Sequence, residues 1–157
     1  MLQRLARRAR NIMTKHPMKQ TADFNPESLK AIRAHLRLSG LGTKEATFAL
    51  IARLALRSWV DVLEAGGKIE VRKVRADIEQ RYAATDIVSK QIGVVTEEIL
   101  ELTTTVFEAL NKHELLEPHL TNNRHKTPNR RLIIYLAVEQ YTRSISSPIR
   151  SKNTQSD

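Results

Sequence analysis

At 157 residues, with 41% apolar and 4% aromatic content, the chain suits one compact domain with an aliphatic core. It has no cysteine, which excludes a disulfide frame, a thiol nucleophile and a thiolate metal site. The net charge of +9 sits at the ends. Residues 1–19 carry six basic groups and no acid, residues 122–157 carry seven basic and two acidic groups, and the middle is slightly negative. Cationic ends on a near-neutral body suit a protein that grips a polyanion with arms and loops.

Residues 1–22 read as a basic N-terminal arm. In LQRLARRARNIM, Leu2, Leu5, Ala9, Ile12 and Met13 share one helical face, and Arg4, Arg7, Arg8 and Arg10 occupy the others. Three readings compete: an arm along phosphates, a cationic membrane-surface helix, and an Arg-rich organelle import sequence. The arm fits the rest of the chain best. Residues 23–66 then read as a helical hairpin. Asn25 and Pro26 start a first helix with Leu29, Ile32, Leu36 and Leu38 apolar, and Gly40-Leu41-Gly42 ends it. Thr43 caps a second helix reaching about Ala65, with fourteen apolar residues from Lys44 to Ala65. Only Arg53, Arg57, Asp61 and Glu64 form a polar stripe, so this helix is expected to be buried in a core or across a homodimer interface. A short extended run, MKQTADF, before a Pro-initiated helix, a Gly loop and a second helix also resembles the ribbon-helix-helix layout. That resemblance implies that Lys19, Thr21 and Asp23 alternate on a reading strand, but it ranks below the reading of the chain's second half.

Residues 67–141 carry the leading expectation. Lys68–Val71 alternates like a short strand, and Val74–Tyr82 is amphipathic with Val74, Ile78 and Tyr82 inward. From Thr85 the chain reads as a helix-turn-helix. Ser89 is the small residue at the crossing, Gly93 the turn, Val88, Ile92, Val94, Ile99 and Leu102 the inner face, and Thr96 the cap of the second helix. Ala109-Leu110, Asn111 to Glu114 and Leu115-Leu116-Glu117 then resemble the recognition-helix exit of MarR-type and GntR-type winged helices. Asn111, Lys112 or His113 stands where that family usually has glycine. In this reading TNNRHKTPNRR is a wing tip, and Leu132, Ile134, Leu136 and Val138 alternate on its return strand. No internal repeat shows in the sequence, and residues 142–157 read as a disordered polar tail.

The expected fold is therefore mainly α with a small β-hairpin, a winged helix-turn-helix with extra N-terminal helices. Its function follows as sequence-specific binding of double-stranded DNA, as a transcriptional regulator or a plasmid or phage replication or maintenance factor. Arg4, Arg7, Arg8, Arg10, Arg124, Lys126, Arg130 and Arg131 are expected at phosphates, and Lys90, Thr96, Thr103, Thr104 and Lys112 in or near the major groove. Against this, the groove helix carries Glu97, Glu98, Glu101 and Glu108, which repel phosphates. The alternatives are a protein adaptor docking a basic partner on Glu97, Glu98 and Glu101 of helix 96–113, and RNA binding through the basic termini. His113, His119 and His125 have no spacing that would bring them together on a metal, and no phosphate loop or nucleophile elbow is present. No cofactor, metal, membrane span or enzymatic activity is expected, and a cytoplasmic, nucleoid-associated location follows from the DNA reading.

Overall fold

The computed structural model describes residues 19–42, 44–116 and 129–146. Among them are five helices and one two-stranded antiparallel sheet: β1 (Lys19–Phe24), α1 (Pro26–Leu38), α2 (Phe48–Glu64), α3 (Val71–Ala83), β2 (Val88–Val94), α4 (Glu97–Asn111) and α5 (Arg130–Ser146). The architecture is thus mainly helical with a small sheet, as the composition and periodicity suggest. No helix among the described residues is long and apolar enough to cross a membrane.

Local chemistry sets the helix starts. The Asn25 side chain accepts a hydrogen bond from the Glu27 N–H at 3.0 Å, and Pro26, which has no N–H to satisfy, opens α1. Gly40 ends that helix at φ 90°, which lets the Leu41 N–H reach back to the Leu36 carbonyl at 3.0 Å. Thr47 caps α2 by accepting from the Leu50 N–H at 3.1 Å, and the expected cap, Thr43, lies outside the described residues. Thr96 caps α4 by accepting from the Ile99 N–H at 3.2 Å.

Two segments differ from the sequence reading in kind. Residues 88–94 form a strand, so the first helix of the expected helix-turn-helix is absent and Gly93 is no interhelical turn. Val88 and Ile92 are four residues apart, a spacing that one helical face and one strand face share, and pairing with β1 decides for the strand. Residues 130–146 form a helix, so the expected return strand of the wing is absent, and residues 142–146, expected in a disordered tail, are helical. Every residue from Leu132 to Glu139 is buried, because neighbours enclose α5 on all sides. A helix buried all round loses its 3.6-residue signature and reads as a continuous apolar run. Two smaller corrections concern the region before them. Residues 68–70 form no strand, and Tyr82 is 53% exposed rather than inward.

The elements form two strand-helix-helix units, β1-α1-α2 and β2-α4-α5, joined through α3. The units interlock. Helix α5 of the second packs on β1 and α1 of the first, α2 of the first packs on β2 and α4 of the second, and α2 and α5 pack on each other. The third, fourth and seventh residues are buried in both first helices, Ser28, Leu29 and Ile32 in α1 and Ile99, Leu100 and Thr103 in α4. Neither unit could close a core alone, since each uses the other's strand and helices as its cover. The apolar face of α2, expected at a homodimer interface, is covered inside the chain by α4 and α5. A buried carboxylate ties α5 to the start of α1. Glu139 accepts from the Ser28 hydroxyl and from the Asn25 amide, and burial pushes its carboxyl above the ordinary range.

Gly93 has a use other than the one expected. The ladder slips by one residue between Lys19 and Thr21, and Gly93 sits in the opposing stretch at φ 97°. The extra residue returns Val95 to the core, where it matches Phe24 of the first unit. Gly93→Ala is expected to cost about 1–2 kcal/mol, measured as a lower denaturant midpoint at unchanged slope. Nothing lies within 4 Å of the added methyl, so the loss reports backbone conformation alone.

Candidate nucleic-acid interface

Directly opposed residues of an antiparallel pair share one face of the ribbon. Ala22 and Phe24, fully buried, mark the inner face. The outer face is then built from Thr21 opposite Gln91, Asp23 opposite Ser89 and, across the slip, Lys19 opposite Val94. Five of these six side chains are polar.

One end of this face is a charged cluster. Asp23 is inaccessible although it belongs to the outer side. Its carboxylate accepts from the Ser89 hydroxyl at 2.7 Å, from Arg131 Nε at 2.8 Å and from both Nε (2.8 Å) and Nη2 of Arg81. Arg131 Nη2 also donates to the Ser89 hydroxyl at 3.1 Å. Burial by itself would raise the Asp23 carboxyl, but the hydrogen bonds from Ser89, Arg131 and Arg81 outweigh it and hold the group below the ordinary value. The cluster is one acid beneath two guanidiniums, so it presents positive charge outward. A depressed carboxyl stabilises the fold above its unfolded value, about 3.9, and that contribution disappears as pH falls through the lower folded value. Asp23→Asn is therefore expected to lose about 1–2 kcal/mol at pH 7. Melting curves of the two proteins should converge in strong acid, where both side chains are neutral.

The second helix of each unit begins beside the ribbon. Asn129 Oδ1 accepts from the Leu132 N–H at 3.1 Å at the start of α5, and Arg131, the second residue of that helix, reaches Asp23 and Ser89. At the start of α2, Ala49 and Arg53 share a small cleft with Gln20, Ile92, Val94 and Thr96. Helix N-termini carry partial positive charge and unsatisfied N–H groups, so each is suited to a phosphate running along the ribbon's edge.

The structure distributes the expected site residues unevenly. Arg4, Arg7, Arg8, Arg10, Arg124 and Lys126 lie outside the described residues. Lys90 is exposed on β2, and Arg131 is in the Asp23 cluster. Arg130 is half-buried at the start of α5, where burial lowers its pKa. Thr96 uses its hydroxyl as a cap. Thr103 cannot meet a groove, because it is fully buried and donates to the Ile99 carbonyl at 2.7 Å. Thr104 is only partly exposed, and Lys112 closes the far end of α4, about 24 Å from its cap. The acidic surface is also altered, since Glu98 is paired with Arg53 and Arg57 of α2.

Ser89, Gln91, Val94, Arg53 and Arg81 were not expected at the site. The available signal was the dipeptide Lys-Gln at 19–20 and again at 90–91, each followed within six residues by a capped helix. It flags two segments that each lead into a capped helix, although the two lysines fall on opposite faces of the ribbon. No family model, curated protein or solved structure matches the chain.

Proposed function

We propose that the chain binds double-stranded DNA by laying its two-stranded ribbon in the major groove, in the manner of ribbon-helix-helix proteins. The observation that carries this reading is the ribbon itself, which has a mostly apolar inner face, a polar outer face and the N-termini of α2 and α5 at its sides. A major groove admits a two-stranded ribbon, and its base edges offer donors and acceptors to hydroxyl and amide side chains. Thr21, Ser89 and Gln91 supply those groups, and Gln91 can form a bidentate contact with adenine. Lys19, exposed at one end of the outer face, supplies charge for phosphates beside them. The role this fits is a transcriptional regulator or a plasmid or phage replication or maintenance factor. The adaptor reading is weaker, because one of its three acids, Glu98, is already neutralised by α2.

The test is a titration of random 30-base-pair duplex, followed by fluorescence anisotropy over a salt series. The logarithm of affinity should fall linearly with the logarithm of salt, at about 0.9 per phosphate neutralised. Absence of binding at low salt, or binding indifferent to salt, overturns the proposal.

A further inference from the structure

The two halves of the ribbon belong to one chain, and they are not copies of each other. A pseudo-dyad through the Thr21–Gln91 pair relates Lys19 to Ser89 and, past the Gly93 bulge, Asp23 to Val94. Every related pair differs in chemistry: threonine against glutamine, lysine against serine, aspartate against valine. The ends of the ribbon differ accordingly. At one end Asp23 and Ser89 lie under the guanidiniums of Arg81 and Arg131. At the other, Lys19 stands opposite Val94, which is 45% exposed and apolar.

We infer that one copy of this chain recognises a duplex site without dyad symmetry, each end of the ribbon preferring different bases. This rests on the DNA reading above. A ribbon made by two identical chains presents the same side chains to both half-sites and so selects an inverted repeat. Here the interlocked units complete the ribbon within one chain, and a symmetric site would match one end only. The chemistry at each end indicates its preference. An exposed valine meets the thymine methyl, the one apolar group on the major-groove edge, whereas guanidiniums favour guanine O6 and N7. Val94 is thus a specificity-determining residue for a thymine at one end of the site, and Arg131 for a guanine at the other.

Selection of bound fragments from a random duplex pool tests this, together with sedimentation of the protein with the enriched fragment. The expected result is a motif that is not an inverted repeat, bound by one chain per motif. Val94→Ser, at an exposed position, should reduce the preference for the favoured base at one end roughly tenfold. It should leave the other end and the thermal midpoint unchanged. An inverted-repeat motif, two chains required per motif, or a Val94→Ser effect spread evenly over both ends overturns the asymmetric reading while leaving DNA binding intact. Failure to enrich any motif, with no salt-dependent binding to random duplex, overturns the DNA reading itself.

Discussion

Ile133→Ala is expected to destabilise the protein by about 2–5 kcal/mol, a large part of the roughly 5–15 kcal/mol that holds a domain of this size together. Ile133 is fully buried in α5, the helix that touches β1 and all four other helices. Truncation there removes the transfer energy of three carbons and leaves a cavity that the crossing of α2 and α5 cannot easily close. The same substitution separates the helix from the return strand expected from the sequence. On that strand Leu132, Ile134, Leu136 and Val138 face the core and Ile133 faces outward, where its truncation would cost no more than about 1 kcal/mol. Denaturant unfolding of Ile133→Ala beside Ile134→Ala gives the answer. Two comparable large losses identify a helix enclosed on every side, whereas a large loss at 134 with little change at 133 identifies a strand.

What the sequence made legible is the part whose signals are local. Asn25-Pro26, Gly40 and Thr96 act through hydrogen bonds to backbone a few residues away, so their effects can be read without knowing the fold. The inward residues of α4 were readable because that helix is buried on one side, so Ile99, Val106 and Leu110 recur at helical spacing. The two misread elements lack such asymmetry. Helix α5 is covered all round, so its periodicity is erased. Strand β2 is short, and its assignment depends on a partner some seventy residues away, which no local pattern reports. Gly93 illustrates the difference between a signal and its meaning. Glycine there does mark a left-handed residue, but whether that residue turns a chain between helices or inserts a bulge into a strand depends on the pairing. The extended run MKQTADF, with Lys19, Thr21 and Asp23 alternating, coincides with β1, although the leading reading placed residues 1–22 in a basic arm. The matching order of elements in residues 88–146 was hidden because it lies in burial pattern and topology and not in side-chain identity.

Thr21→Glu combined with Gln91→Glu is expected to weaken duplex binding about 100-fold or more, since a well-formed side-chain pairing with a base is worth about 1–3 kcal/mol and each added carboxylate faces phosphates. The two residues are directly opposed at the centre of the ribbon's outer face, where the proposed base recognition would be concentrated. Opposed glutamates cost the fold up to about 1 kcal/mol, so thermal melts of the variant must show a folded protein before the weaker binding counts. The contrast is a change at the cationic segment before α5, Arg124→Glu with Lys126→Glu. If the ribbon reads and the charged segments only hold phosphates, this second variant binds all sequences more weakly by a common factor and shows a shallower salt dependence. The ribbon variant instead loses discrimination between sites while its salt slope changes little. The opposite pattern, specificity lost with the Arg124/Lys126 pair and retained with the ribbon pair, would mean that bases are read elsewhere and that the ribbon serves only to lock the two units together.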